Sequence, residues 1–71
     1  MKRERVRSRA IVGVGYDRAT NVLEIEFAGD GGIYQYFAVP PSVAAALLTA
    51  ESAGRFVNEQ IKPRYRAVWV E

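Results

Sequence analysis

The tetrapeptide Gly29-Asp30-Gly31-Gly32, set between two runs of alternating side chains, constrains this chain more than any other feature. In residues 21–28, Leu23, Ile25 and Phe27 fall on one side and Glu24 and Glu26 on the other, the two-residue period of a half-buried strand. Residues 33–39 are rich in aromatic and β-branched side chains, which suit a pleated surface. Asp-Gly between such runs predicts a two-residue type I′ hairpin, whose central residues both need positive φ. That turn sets Gly29 opposite Gly32, Phe27 opposite Tyr34, Ile25 opposite Tyr36 and Leu23 opposite Ala38. Residues 8–16 alternate as well, with Ala10, Val12, Val14 and Tyr16 against Arg9, Ile11, Gly13 and Gly15. A loop at 17–20 then opposes Tyr16 with Asn21, Val14 with Leu23 and Val12 with Ile25. Both turns assign Val12, Val14, Leu23, Ile25, Phe27, Tyr34 and Tyr36 to one face, and agreement between independent local signals supports a meander. A slip of one residue would turn that face outward.

Pro40-Pro41 stops the third strand and opens a helix, with proline in the first turn or Ser42 as the cap. Val43, Ala46, Leu47 and Ala50 form its apolar stripe. Ser52 is the expected cap of a second helix over 53–61, with Phe56, Val57, Gln60 and Ile61 on or beside its buried face, and Pro63 ends it. Residues 64–70 alternate like an edge strand. The expected fold is α+β: a three-stranded antiparallel β-meander followed by two short helices packed on one face, with a short C-terminal strand as an open addition. With 71 residues the chain is one domain, divided into a basic N-terminal arm at 1–7, a core at 8–65 and a tail at 66–71.

The chain has no histidine and no cysteine. That excludes thiol nucleophiles, imidazole acid–base chemistry and zinc sites built on sulfur or imidazole. No serine stands in a Gly-x-Ser-x-Gly setting. Glu24 and Glu26 alone make a poor cation site. Gly13 and Gly15 give Gly-x-Gly inside a strand, without the third glycine or following helix of a phosphate cradle. They are expected to let a side chain or backbone pack closely on the strand. No enzyme, cofactor or metal is expected. No apolar run approaches the ~18 residues that span a bilayer, so the expected setting is cytoplasmic, with no membrane partner.

The net charge of +2 conceals an asymmetry. Lys2, Arg3, Arg5, Arg7 and Arg9 face only Glu4 in the first nine residues, a net +4. Residues 10–54 set Arg18 against Asp17, Glu24, Glu26, Asp30 and Glu51, a net −4. Arg55, Lys62, Arg64 and Arg66 against Glu59 and Glu71 make the last segment +2. Basic ends of this kind either contact a polyanion or pair with the acidic centre on folding. Extended, the arm is an arginine ladder suited to phosphates. The alternatives are a solvated arm or a diagonal pairing with Glu26.

Two surfaces follow. Arg5, Arg7, Arg9, Lys62, Arg64 and Arg66 are the candidate phosphate contacts, with Phe37 as a stacking side chain for unpaired bases. The outer sheet face, with Ile11, Ile33, Phe37 and Val39 together with Trp69 from the tail, is the alternative: a homodimer or docking surface, unless the tail folds across it.

The ordered series Ser8, Ile11, Gly15-Tyr16-Asp17, Leu23-Glu24-Ile25-Glu26-Phe27, a glycine-containing turn, Tyr34-Gln35-Tyr36 and Val39-Pro40 resembles the KTSC domain. The closing series Ala50, Ser52, Gly54, Phe56, Asn58, Ile61-Lys62 and Tyr65 is similar to that family's most recognisable stretch. The likeness covers about residues 8–65. The family is named for its occurrence at the C-terminus of some lysyl-tRNA synthetases, and it also occurs as free-standing small bacterial and phage proteins. The resemblance implies a small binding module for which RNA has been suggested as ligand, and it carries over no catalytic residues. Tyr34 and Tyr36 fall on the expected core face, which favours packing for their rings. Asn58 is expected to bond to a neighbouring backbone group, and Lys62 to complement a helix end.

Overall fold

A computed structural model describes all 71 residues, and in it the alternating runs become part of a larger antiparallel sheet than the turns alone imply. Its strands are β1 (Glu4–Arg5), β2 (Ile11–Asp17), β3 (Val22–Phe27), β4 (Gly32–Tyr36) and β5 (Ala67–Trp69). They lie side by side in chain order. The expected three-stranded meander is its centre. The arm contributes one edge and the tail the other, because unpaired backbone groups on the outer strands find partners there: β1 lies on β2 and β5 on β4.

Both hairpins pair in a register two steps from the expected one. Tyr16 faces Leu23 and Val14 faces Ile25, so the first loop covers 18–21. Asn21 takes the left-handed conformation there, and the Asp17 carboxylate accepts the Ala19 N–H at 2.9 Å. In the second hairpin Leu23 faces Tyr36, Ile25 faces Tyr34 and Phe27 faces Gly32. A type I′ turn would have put Asp30 at positive φ. The chain instead makes a tight 3₁₀ turn over Gly29–Gly31 and confines the left-handed angles to Gly29 and Gly32. Because side chains repeat every two residues, a two-step shift changes partners but preserves faces.

Faces change at two irregular points. The β2–β3 register shifts between Ile11 and Gly13, a bulge that turns Val12 outward and Ile11 inward. Ile11, expected on the outer face, is therefore fully buried, whereas Val12 is 38% exposed. After β4, Ala38 adopts φ 58°, which breaks the alternation and turns Val39 into the core. The Val39 N–H donates to the Asn21 carbonyl at 2.9 Å, and its carbonyl accepts the Tyr16 hydroxyl at 2.5 Å. Ile11 and Val39 thus leave the interaction surface assigned to them.

The helical layer covers one face. Helix α1 (Pro41–Thr49) begins with Pro41 in its first turn and Pro40 at the cap, so Ser42 does not cap it. It buries Ala44 and Leu47; Ala46 is exposed, because the stripe is rotated toward Val43 and Ala44. Helix α2 (Ala53–Phe56) is capped by Ser52, whose hydroxyl accepts the Arg55 N–H at 3.3 Å. It continues as a π-helical stretch, Val57–Ile61, closed by the Lys62 N–H on the Val57 carbonyl at 2.9 Å. Ile11, Val14, Leu23, Ile25, Tyr36 and Val39 from the sheet side pack with Ala44, Leu47, Ala53, Val57 and Ile61. Each large apolar side chain in this core contributes about 1.5–3 kcal/mol by leaving water. No helix is long and apolar enough to cross a membrane.

Candidate functional site

The core face is not completely covered. Where the helical layer ends, a cleft of about 610 Å³ remains, and its lining includes Phe27, Tyr34, Tyr36, Lys62 and Tyr65. Strand alternation puts Phe27, Tyr34 and Tyr36 on this side, and the chain leaving the π-helical stretch supplies Lys62 and Tyr65. The Phe27 and Tyr34 rings meet edge to face, with centroids 5.8 Å apart. The Lys62 ammonium lies over the Phe27 ring, 5.2 Å from its centroid. Tyr34 and Tyr65 are half-buried.

Tyr36 differs from them. It is 4% exposed and lines the cleft, yet its hydroxyl takes part in none of the protein's side-chain hydrogen bonds and is not sealed from solvent. Burial pushes its phenol above the ordinary value, and Tyr34 adds to the effect. The group therefore stays protonated at neutral pH, a donor with no partner within the protein and open to solvent.

The basic residues divide into two groups. Lys62 lines the cleft, while Arg9 adjoins the lining residue Ala10 and Arg64 and Arg66 flank Tyr65 and precede Ala67. These four side chains are exposed. Arg5 and Arg7 lie elsewhere, along a groove between the arm and the α1–α2 junction that also holds Glu4 and Glu51. The single basic patch considered for both ends is thus two regions, because β1 from the arm and β5 from the tail form opposite edges of the sheet.

Phe37 follows the cleft-lining Tyr36 but falls on the opposite face of the sheet. Its N–H donates to the Arg66 carbonyl at 2.9 Å, and the alternation after Tyr36 assigns it to the outer face with Ile33. Trp69, expected on that face, is 66% exposed but stands in register with Tyr34 on the cleft side. Val68, opposite Gln35, and Val70, bonded to Ile33, occupy the outer face in its place. The tail therefore extends the sheet rather than folding across it. Asn58 is exposed and its side chain bonds to no backbone group.

The acidic centre has a partner that the candidate residues did not include. Arg3 bonds to Glu24, and its Nε lies 3.4 Å from Glu26 Oε1. Gln35 donates to the other Glu24 oxygen at 2.9 Å. Burial alone would push the Glu24 carboxyl up; the hydrogen bonds from Gln35 and Arg3, with the charge of Arg3, hold it below its ordinary value. The glycines make room, as their place in the strand implies. A Cβ on Gly15 would come within 2.5 Å of the Lys2 carbonyl and 3.1 Å of Arg3 Cγ, and one on Gly13 within 3.1 Å of the Glu4 carbonyl. Gly-x-Gly opposite an Arg-rich arm was the signal for this contact.

A family model described as KTSC domain matches residues 7–65. The chain is 54% identical over 63 residues to a protein of Tsukamurella paurometabola, covering 89% of this chain and 92% of that one. An uncharacterised protein of Stutzerimonas stutzeri is 44% identical over 69 residues, covering 97% and 96%. A lysine–tRNA ligase of Nostoc punctiforme is 43% identical over 51 residues, which are 72% of this chain and 9% of the ligase. The crystal structure of a KTSC domain protein from Yersinia pestis superimposes with a TM-score of 0.94 at 34% identity, covering 99% of this chain and 97% of that one.

Proposed function

The chain belongs to the KTSC domain family, and we propose that it is a small non-enzymatic module that binds single-stranded RNA at the cleft side of its sheet. One observation carries this reading: Lys62 lines a cleft walled by Phe27, Tyr34 and Tyr65, and the exposed cations Arg9, Arg64 and Arg66 are sequence neighbours of its lining residues. Phosphates attract basic side chains whatever the sequence, and unpaired bases stack on aromatic rings. Glu24 and Glu26 alternate onto the opposite face of the sheet, away from the cleft. The similar segment within a lysine–tRNA ligase, an enzyme that handles tRNA by name, supports RNA as the ligand class. In this arrangement Arg5 and Arg7 lie outside the main footprint, and stacking falls to the tyrosines rather than to Phe37.

Anisotropy of a labelled ten-residue oligouridylate tests it. Affinity is expected to fall with salt by about 0.7 log units per log salt for each phosphate neutralised. Replacing Lys62, Arg64 and Arg66 together by Ala should lower that slope by about 2. Absence of binding at low salt overturns the proposal.

A second reading rests on the outer face, where Val68 and Val70, each 45% exposed, adjoin Ile33 and Phe37 beside a neutralised Glu24. It is a self-association surface. Light scattering should then show a dimer that Phe37→Asp dissociates, whereas a monomer at high concentration counts against it.

A further inference from the structure

We infer that the tyrosine cleft is a nucleotide pocket, which takes one nucleobase against its aromatic wall and directs the attached phosphate to Lys62. The inference deepens the RNA-binding reading and rests on it for the class of ligand. Its own support is the unpartnered hydroxyl of Tyr36. That hydroxyl lines the cleft and reaches solvent there, so its water can be exchanged for a ligand acceptor. Tyr36 remains protonated, so it seeks an acceptor, and a base carbonyl or ring nitrogen is one.

The surroundings select a flat ligand. Phe27, Tyr34 and Tyr65 present partly exposed rings along the cleft. Its volume of about 610 Å³ falls within the roughly 300–1,000 Å³ usual for small-ligand sites. Lys62 is the lining residue with a positive charge, held by its place over Phe27, and Arg64 follows two residues later. An aromatic wall, a neutral donor open to the cleft and a cation at one side match a nucleoside monophosphate better than a bare anion, which would leave the rings unused. The same chemistry is met by a free nucleotide and by one residue of an RNA strand.

NMR titration of the whole chain with uridine and adenosine 5′-monophosphates, and separately with inorganic phosphate, tests the pocket. The nucleotides should shift amide resonances of residues 27, 34, 36, 62 and 65 and saturate at lower concentration than phosphate. Tyr36→Phe should weaken nucleotide binding by roughly 3- to 10-fold, the value of one neutral hydrogen bond, with the remaining spectrum unchanged. Tyr65→Ala, on the half-buried wall, should weaken it independently. Nucleotides that bind no better than phosphate, or a Tyr36→Phe protein that binds them as the parent does, overturn the inference. If the oligouridylate binds with the expected salt slope while the monophosphates leave the cleft untouched, the RNA reading stands and the pocket falls. If the monophosphates bind through Tyr36 and the oligouridylate does not bind, the pocket stands as a free-nucleotide site and the RNA reading falls.

Discussion

The guanidinium of Arg3 reaches across β2, over positions where that strand has glycine, to bond the carboxylate of Glu24 on β3. Glu24 is 5% exposed, so this contact and the one from Gln35 satisfy a buried charge and fasten a two-residue edge strand at once. Arg3→Ala should destabilise the fold by about 1–3 kcal/mol, the cost of leaving a buried charged acceptor short of a donor. Urea denaturation reads the loss, and unchanged stability would contradict the role given to the pair.

Glu24 also sets an acid limit. Its folded carboxyl lies below the ordinary value of 4.5. The stability it contributes is therefore fully present above that pH and is lost as pH falls through the lower folded value. Denaturant midpoints from pH 7 down to pH 2 should decline in this acid range, and Glu24→Gln should reduce the decline. An unchanged profile in that variant would show that other carboxylates govern it.

The bulge in β2 predicts opposite outcomes for adjacent residues. Ile11→Ala removes a fully buried side chain and should cost about 2–5 kcal/mol. Val12→Ala, at a site 38% exposed, should stay within about 0.5 kcal/mol. An unbroken alternation would reverse the order, so thermal melts of the two variants decide it.

Glycine replacements separate close approach from backbone angle. Gly15→Ala should loosen β1, because the new methyl meets the Lys2 carbonyl at 2.5 Å. Faster amide exchange at residues 4–5 would report it. Gly29→Ala meets nothing within 4 Å but retains φ +64°, and should cost about 1 kcal/mol without affecting the arm. Equal effects of both on arm exchange would refute the distinction.

Residues 21–36 carried much of the fold in their pattern. The alternation of Leu23, Ile25 and Phe27 with Glu24 and Glu26 assigned faces that the sheet retains, since even a two-step error in pairing leaves a side chain on its own face. Ser52 as a cap, the start at Pro41 and the inward Tyr36 were legible for similar local reasons. Composition alone excluded imidazole and thiol chemistry. The family likeness was readable too, because its motif residues lie in order along the chain.

Whatever depended on two distant segments meeting was not legible. The bulge that buries Ile11 and the left-handed Ala38 that buries Val39 are irregularities that a period-two pattern cannot encode. Arg3 stood in an arginine-rich arm like its neighbours, and only the path of β1 over Gly13 and Gly15 singled it out for Glu24. The cleft is a tertiary product as well, since Tyr36 and Tyr65 are 29 positions apart and share a wall only after the helical layer returns the chain to β4. By itself the sequence determined strand faces, helix starts and the absent chemistries, all governed by neighbours within a turn or a hairpin. Pairing partners, edge strands and the divided basic surface were decided by tertiary packing, where backbone groups and buried charges from far along the chain had to be satisfied together.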